Sequence, residues 1–475
     1  MAKFKANRLD QLLLFPPSVN DYVPEDHLAK LIHSVVEKIN TNNIENKYSN
    51  NGQNTYHPKV LTKILFYAYA TGERSGRTIA KRCETDTAYM YLAQMYKPNF
   101  RTINDFRKNH HEELSGYFVD IVRICQELDL VKLGQINIDG TKIKANAAKR
   151  MTMDESGYKN WEEKISKKID DILAEADRID DEEDKLYGDT RGDELPEAIN
   201  TTEKLKKKLD EIEKKRKKAK EEGKLNYTDE DAKFMKNGQG KIDIGYNCQA
   251  ATTNEQIIVG TEVIQEANDR NALKIMIEET ERTLGEEVKE VAMDTGYSSY
   301  ENYEYLNKTE VVGYIPNDEM GQRNKRDNGP YSMDRFTYDK EENKYICPEG
   351  KTLKKSKERS KPTKAKKWNH VVYIGTACTD CQKREQCTKQ KYRTILRHNS
   401  RHLVDEMKER LRSEDGRRKY QKRMITIEPL FGHIKHNLGY RQFMLRGLEK
   451  VKSEFRLMCI GSNLKKMRTL GVTVV

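Results

Sequence analysis

The sequence predicts a mixed α/β core preceded by an all-helical region and broken by two polar insertions, and three observations carry that expectation. Apolar residues recur at helical spacing through residues 1–130, as in Leu28, Leu31, Ile32, Val35, Val36 and Ile39, and again in Val60, Leu61, Ile64, Leu65, Tyr67 and Ala68. Short β-branched runs then alternate with helical stretches over residues 131–150 and 225–317. Two segments of unusual composition, 151–224 and 318–398, separate these runs from one another and from a helical end, 399–475. A chain of 475 residues has room for two to four such units.

Taken in order, the helical region includes a short unit, Ser75 to Arg82 followed by Thr85 to Met90, that fits two helices joined by a turn with basic residues beside it. Such a pair is compatible with a helix-turn-helix reader of DNA and equally with core packing. Residues Val131 to Ile143 read as a strand carrying Asp139 near its end. The 151–224 island holds 23 acidic and 18 basic residues, with Ile165, Ile169, Ile172, Ala176 and Ile179, then Leu205, Leu209 and Ile212, at three-four spacing. It predicts an amphipathic helical hairpin that turns at Gly188 to Asp193, with an acidic first arm and a basic second one. Strands follow at 244–251 and 257–264, a helix at about 272–283, a strand at 288–294, a helix at 300–306 and a strand at 311–315. Three hairpin-linked strands followed by alternating helix and strand is the order of a ribonuclease-H-like core, completed by the helices of 399–475.

The formal net charge of +11 is unevenly placed. Residues 351–398 alone carry 15 Lys and Arg against 3 Asp and Glu, which suits a polyanionic partner such as nucleic acid. No segment approaches the roughly 18 apolar residues of a membrane span, and Leu12 to Phe15 before Pro16-Pro17 is too short for a secretory segment. The chain is therefore expected in the cytosol, with its eight cysteines reduced.

Asp139 and Asp294 end strands that are neighbours in a ribonuclease-H-like sheet, so their carboxylates should converge. Adjacent carboxylates repel unless a cation lies between them, and hard oxygen donors suit Mg²⁺ or Mn²⁺. Two such ions about 4 Å apart activate a water or 3′-hydroxyl and stabilise the leaving oxygen of a phosphodiester. A third carboxylate is offered by Glu428, with Lys435 seven residues on and so on one helical face. Pro429 requires Glu428 to lie near the helix start, where proline is tolerated.

The blocks Asn137-Ile138-Asp139-Gly140-Thr141, Ala292-Met293-Asp294-Thr295-Gly296-Tyr297 and Glu428-Pro429-Leu430-Phe431-Gly432-His433-Ile434-Lys435 resemble the Asp-Asp-Glu transposases of bacterial insertion sequences, in the branch with a Tyr-Arg-Glu-Lys signature. Gly245 to Gln249 and Arg446 to Val451 are similar to that family too. The resemblance implies two Mg²⁺ or Mn²⁺ ions held by Asp139, Asp294 and Glu428, with Tyr420, Arg423 and Lys435 on the phosphates of the transposon end. It also implies double-stranded DNA as transposon end and target, and a homodimer on DNA. One more residue separates Arg423 from Glu428 than in the family signature. A metal-dependent nuclease that does not join strands, and a domesticated DNA-binding protein, are the competing readings.

Cys347, Cys378, Cys381 and Cys387 lie in the basic stretch, and the Cys378-Thr379-Asp380-Cys381 spacing is that of thiolate zinc sites, so a structural Zn²⁺ is expected there. Cys83, Cys125, Cys248 and Cys459 read as core thiols. Gly350-Lys351-Thr352 ends like a phosphate-binding loop, but Tyr345 stands where its first glycine would be, which argues against nucleotide binding.

Overall fold

Helices begin where a capping side chain precedes an apolar stripe. A computed structural model describes residues 18–48, 55–132, 134–187, 197–236, 240–317, 320, 329–356, 370–472 and 474. The N-terminal region is helical, as the periodicity predicts: α1 (Leu28–Lys38), α2 (Asn42–Glu45), α3 (Pro58–Ala70), α4 (Gly76–Thr85), α5 (Thr87–Leu92), α6 (Phe100–Asn109) and α7 (His111–Glu127). Between α4 and α5 only Asp86 intervenes, and its Oδ1 accepts from the N–H groups of Ala88 and Tyr89 at 2.9 and 3.3 Å, starting the second helix at once.

The central sheet follows. Strand β1 (Gln135–Lys144) lies antiparallel to β5 (Ile242–Thr252), which pairs antiparallel with β6 (Ile258–Ile264) and with the short β4 (Lys233–Lys236). On its other side β1 runs parallel to β7 (Glu290–Ala292), and β7 parallel to β8 (Val312–Tyr314). Helices α10 (Ala272–Leu284) and α11 (Tyr300–Lys308) make the crossovers that parallel pairing requires. Asp139 lies in the middle of β1, which runs on to Lys144, rather than near a strand end.

The chain closes with α13 (Arg401–Arg412), α14 (Glu414–Gly432) and α15 (Leu448–Thr469), after a one-turn α12 (Arg384–Cys387) in the cysteine-bearing segment. Helix α15 is buried along most of its length and joins the N-terminal helices to the sheet in one continuous apolar core. A Cβ on Gly461 would sit 2.7 Å from the backbone N of Ala70, so glycine is what lets α15 and α3 approach so closely. The buried Glu454 accepts from the N–H groups of Met444 and Leu445 at 2.8–3.1 Å and lies 3.8 Å from Arg74.

Both insertions carry separate cores. The charged island is a helical hairpin, α8 (Glu155–Tyr187) and α9 (Glu197–Glu222), packed through Tyr158, Ile165, Ile169, Ile212 and Ala219. Its base is closed by two short paired strands, β2 (Thr152–Met153) and β3 (Leu225–Asn226). The expected turn at Gly188 to Asp193 lies outside the described residues. The second insertion is a five-stranded antiparallel sheet, β9 (Thr337–Asp339), β10 (Lys344–Ile346), β11 (Thr352–Lys355), β12 (His370–Gly375) and β13 (Thr394–His398), in sequential order. Among the described residues no helix is long and apolar enough to cross a membrane.

Candidate active site

Register decides which side chains meet. Asn137 on β1 pairs with Ala292 on β7, and the strands are parallel. Two residues further along each chain stand Asp139 and Asp294, which therefore lie side by side. Each also binds a nearby backbone amide: Asp139 Oδ1 accepts from Gly140 N and Asp294 Oδ1 from Gly296 N, both at 2.8 Å. Helix α14 lies across this point. Gln135 Nε2 donates to the Lys419 carbonyl at 2.8 Å and Lys419 Nζ reaches Glu290 at 2.6 Å, clamping the helix to β1 and β7.

That clamp brings Arg423 over the carboxylates. Its Nη2 is 3.1 Å from Asp139 Oδ2 and its Nη1 is 3.7 Å from Glu428 Oε1. The Arg423 side chain is only 5 % exposed and that of Glu428 47 %, so one guanidinium bridges a buried acid to a half-open one. Among the described residues its Nε has no hydrogen-bond partner. The ring of Tyr420 lies 5.9 Å from the guanidinium carbon. Arg423 is thus turned into the acidic cluster, while Tyr420 lies beside it, half-buried.

Electrostatics follow from burial. Desolvation pushes Asp139 up to about 6; Arg423 opposes this and the charge of Asp294 adds to it. Burial also raises Asp294, against Arg423 and with a contribution from a further acid, Asp269. A Cβ on Gly296 would lie 2.9 Å from Asp294 Oδ1 and 3.2 Å from Asp269 Oδ2, which locates the two carboxyl groups against the same spot.

The sequence reading missed Asp269. It accepts from Lys142 Nζ at 3.0 Å, Asn247 Nδ2 at 2.7 Å and Gln249 Nε2 at 2.8 Å, while the fully buried Tyr297 donates to Gln249 Oε1. A side chain at Gly140 would collide with Gln249 and Asp269, so this residue must be glycine for the network to close against β1. Asn247 and Gln249 occur in a block that drew attention in the sequence, whereas Asp269 sits in the loop Asn268-Asp269-Arg270, where an acid ordinarily serves as a turn residue.

One expectation about this helix needs correction. Glu428 is not near a helix start: α14 begins fourteen residues earlier, and Pro429 lies inside it, in the last turn. Proline leaves the carbonyl four residues back without its N–H, and Gln256 Nε2 supplies the missing bond to the Ile425 carbonyl at 2.6 Å. A single π turn, His433–Asn437, then follows and carries Lys435. Burial lowers the Lys435 pKa, Cys248 opposes this and Lys142 adds to it.

The zinc expectation has no support. Among the described residues no three or more His, Cys, Asp or Glu side chains are gathered as a metal-holding group. Cys347, Cys378, Cys381 and Cys387 are free and partly exposed, lining one cavity. Backbone pairing and an apolar cluster of Phe336, Tyr345, Leu353, Tyr373 and Ile395 pack this sheet. The same absence holds for the carboxylates, where Arg423 supplies the positive charge between Asp139 and Glu428. The donor chemistry there, hard oxygens around a buried acid of raised pKa, fits a divalent cation.

Acids and a guanidinium are thus gathered at adjacent parallel strands. Residues 346–468 match the family described as Transposase DDE domain, and residues 17–109 the family described as Transposase domain (DUF772). Two separate stretches of the chain are thus similar to transposase families. The DDE match contains Glu428 but begins beyond Asp139 and Asp294, so those two are placed by register and not by the match. No curated protein and no solved structure matches the chain.

Proposed function

We propose that this chain is a transposase that binds the terminal inverted repeats of its own element and performs cleavage and strand transfer with Asp139, Asp294 and Glu428 as ligands of Mg²⁺ or Mn²⁺. The observation that carries the reading is the parallel β1–β7 register, which sets Asp139 beside Asp294 beneath the helix bearing Glu428. The strand order, three antiparallel strands with two parallel ones added beside the first, supports a ribonuclease-H-like sheet. When bound, divalent ions would activate the attacking oxygen and neutralise the leaving one.

The protein's own groups do the remaining work. Asp139 must give up its proton to act as a ligand, and Arg423 favours that ionised form. Glu428, half exposed and 3.7 Å from Arg423, would turn from it to reach a bound ion. Lys435 lies on the phosphate side as a point charge. The test is cleavage of a duplex carrying the outermost sequences of the element in Mg²⁺, with strand transfer assayed from a pre-cleaved end. Asp139→Asn, Asp294→Asn and Glu428→Gln should each abolish both reactions. Cleavage without joining by the intact protein would make it a nuclease, and full activity of any of the three variants would remove that residue from the site.

A further inference from the structure

Beside the carboxylates a cleft of about 340 Å³ opens between the far end of β1, the β4–β5 edge and the π turn that follows α14. Its charged lining is lopsided: Lys142, Lys144, Lys435 and Arg441, with His436, against the single carboxylate of Asp243. The cations are held in different ways. Lys142 is tied to Asp269 and Lys144 to Asp243, each at 3.0 Å. Arg441 donates to the Lys435 carbonyl at 3.2 Å and to His436 Nδ1 at 3.1 Å, which fixes its guanidinium to the turn. Among the described residues no carboxylate pairs with the Lys435 ammonium, although that side chain is largely withdrawn from water. A desolvated cation without a counter-ion, in a cleft lined by cations, is a place prepared for an anion.

The backbone makes this cleft a fixed feature. The chain after the π turn is pinned to β1 by Lys144 N donating to the Arg441 carbonyl at 3.2 Å and Phe443 N to the Lys144 carbonyl at 2.8 Å. The lining also has a direction. Lys142 and Lys144 share one face of β1, about 7 Å apart at strand rise, and Lys142 reaches the acids through Asp269, whose carboxyl lies against the same spot as that of Asp294. About two nucleotides of one strand span the distance between the two lysines. A single phosphate or nucleotide would need one cation cluster, whereas a graded row suits successive phosphodiesters.

We propose that this cleft seats the DNA backbone beside the reaction centre, with phosphates of one strand running from the carboxylates past Lys142 and Lys435 to Arg441 and Lys144. The inference rests on the transposase reading and adds to it the path of the bound strand. Lys144 and Arg441 act here as backbone contacts, and Asp243 sets how strongly the cleft attracts them.

The test measures binding by the full-length chain in EDTA, over a salt series, to two duplexes: one of mixed sequence, one carrying the outermost sequences of the element. Lys144→Ala/Arg441→Ala should bind roughly tenfold to a hundredfold more weakly, and its salt slope should fall by about two. Loss on both duplexes assigns the cleft to any DNA strand, and loss on the element's end alone assigns it to the transposon strand. Asp243→Asn should tighten binding by roughly threefold without touching a cation. Unchanged affinity and slope for the double variant on both duplexes, with circular dichroism showing a folded chain, would overturn the proposal. So would weaker binding by Asp243→Asn. Asp139→Asn separates this failure from that of the parent reading: normal binding by the cleft variant, with cleavage still lost in Asp139→Asn, would sink the cleft alone.

Discussion

Removing the charge of Asp139 should stabilise the metal-free protein, and the structure gives both sign and size. Burial raises its pKa from 3.8 to about 6 even with Arg423 at 3.1 Å. A carboxyl whose folded pKa lies above its unfolded one favours the fold below the unfolded value, and that contribution is lost as pH rises through about 6. A shift of this size corresponds to about 3 kcal/mol between neutral and ionised forms. Asp139→Asn, neutral at every pH, should therefore gain up to about 3 kcal/mol over the wild type near pH 8 and almost nothing near pH 4. In thermal melts the gain should read as a few degrees near pH 8, vanishing as the buffer is acidified. Saturating Mg²⁺ should stabilise the wild type and leave the variant unmoved, so that the order reverses. A variant less stable than wild type near pH 8 without metal would refute the reasoning, because Arg423 would then be repaying more than the burial costs.

Because only the ionised form is a ligand, Mn²⁺ affinity followed by calorimetry should weaken as pH falls through about 6, releasing one proton per site at the lower pH. Arg423→Ala should destabilise the metal-free protein by about 3 kcal/mol near pH 8 and by less near pH 5, where Asp139 takes up a proton instead, as denaturant titrations at the two pH values would show. Asp269→Ala should lower metal affinity about tenfold to a hundredfold by releasing Lys142, Asn247 and Gln249, with mixed-sequence DNA binding in EDTA kept as the control. Gly461→Ala should cost about 1–3 kcal/mol of stability, since the new methyl meets the α3 backbone.

The sheet was legible because its strands are β-branched runs punctuated by turns, and the two helices between them keep a regular apolar stripe. β1, β5, β6, β7 and β8 all lie where those runs stand, within a few residues. The five-stranded insertion was not legible. Its strands are three to six residues long and rich in Lys, Thr and Tyr, and each contributes only one or two residues to its inner face, too few to show a period of two. Its inner face is packed by aromatic and aliphatic side chains. Asp269 was hidden for another reason: its partners Lys142, Asn247 and Gln249 come from two strands, and no spacing along the chain reveals a meeting made by register.

Pro429 shows how such a misreading arises and what corrects it. A proline one residue after a proposed ligand argues, from local rules alone, for a helix beginning there. Helix α14 instead runs on from Glu414, because Gln256, at the β5–β6 turn, donates to the carbonyl that proline leaves unpaired. The local cost is thus met by a residue 169 positions away, and the helix keeps both Arg423 and Glu428 over the sheet. That dependence can be tested. Gln256→Ala leaves the Ile425 carbonyl to water or unpaired, at about 1–3 kcal/mol if it stays dry. It also removes the tether that fixes the last turn of α14, so Glu428 should lose its set position relative to Asp139. Hydrogen exchange should then quicken in residues 423–432, and cleavage should fall more than DNA binding. Protection and cleavage both unchanged would mean that α14 holds Glu428 without the β5–β6 turn, through the Gln135 and Lys419 clamp alone.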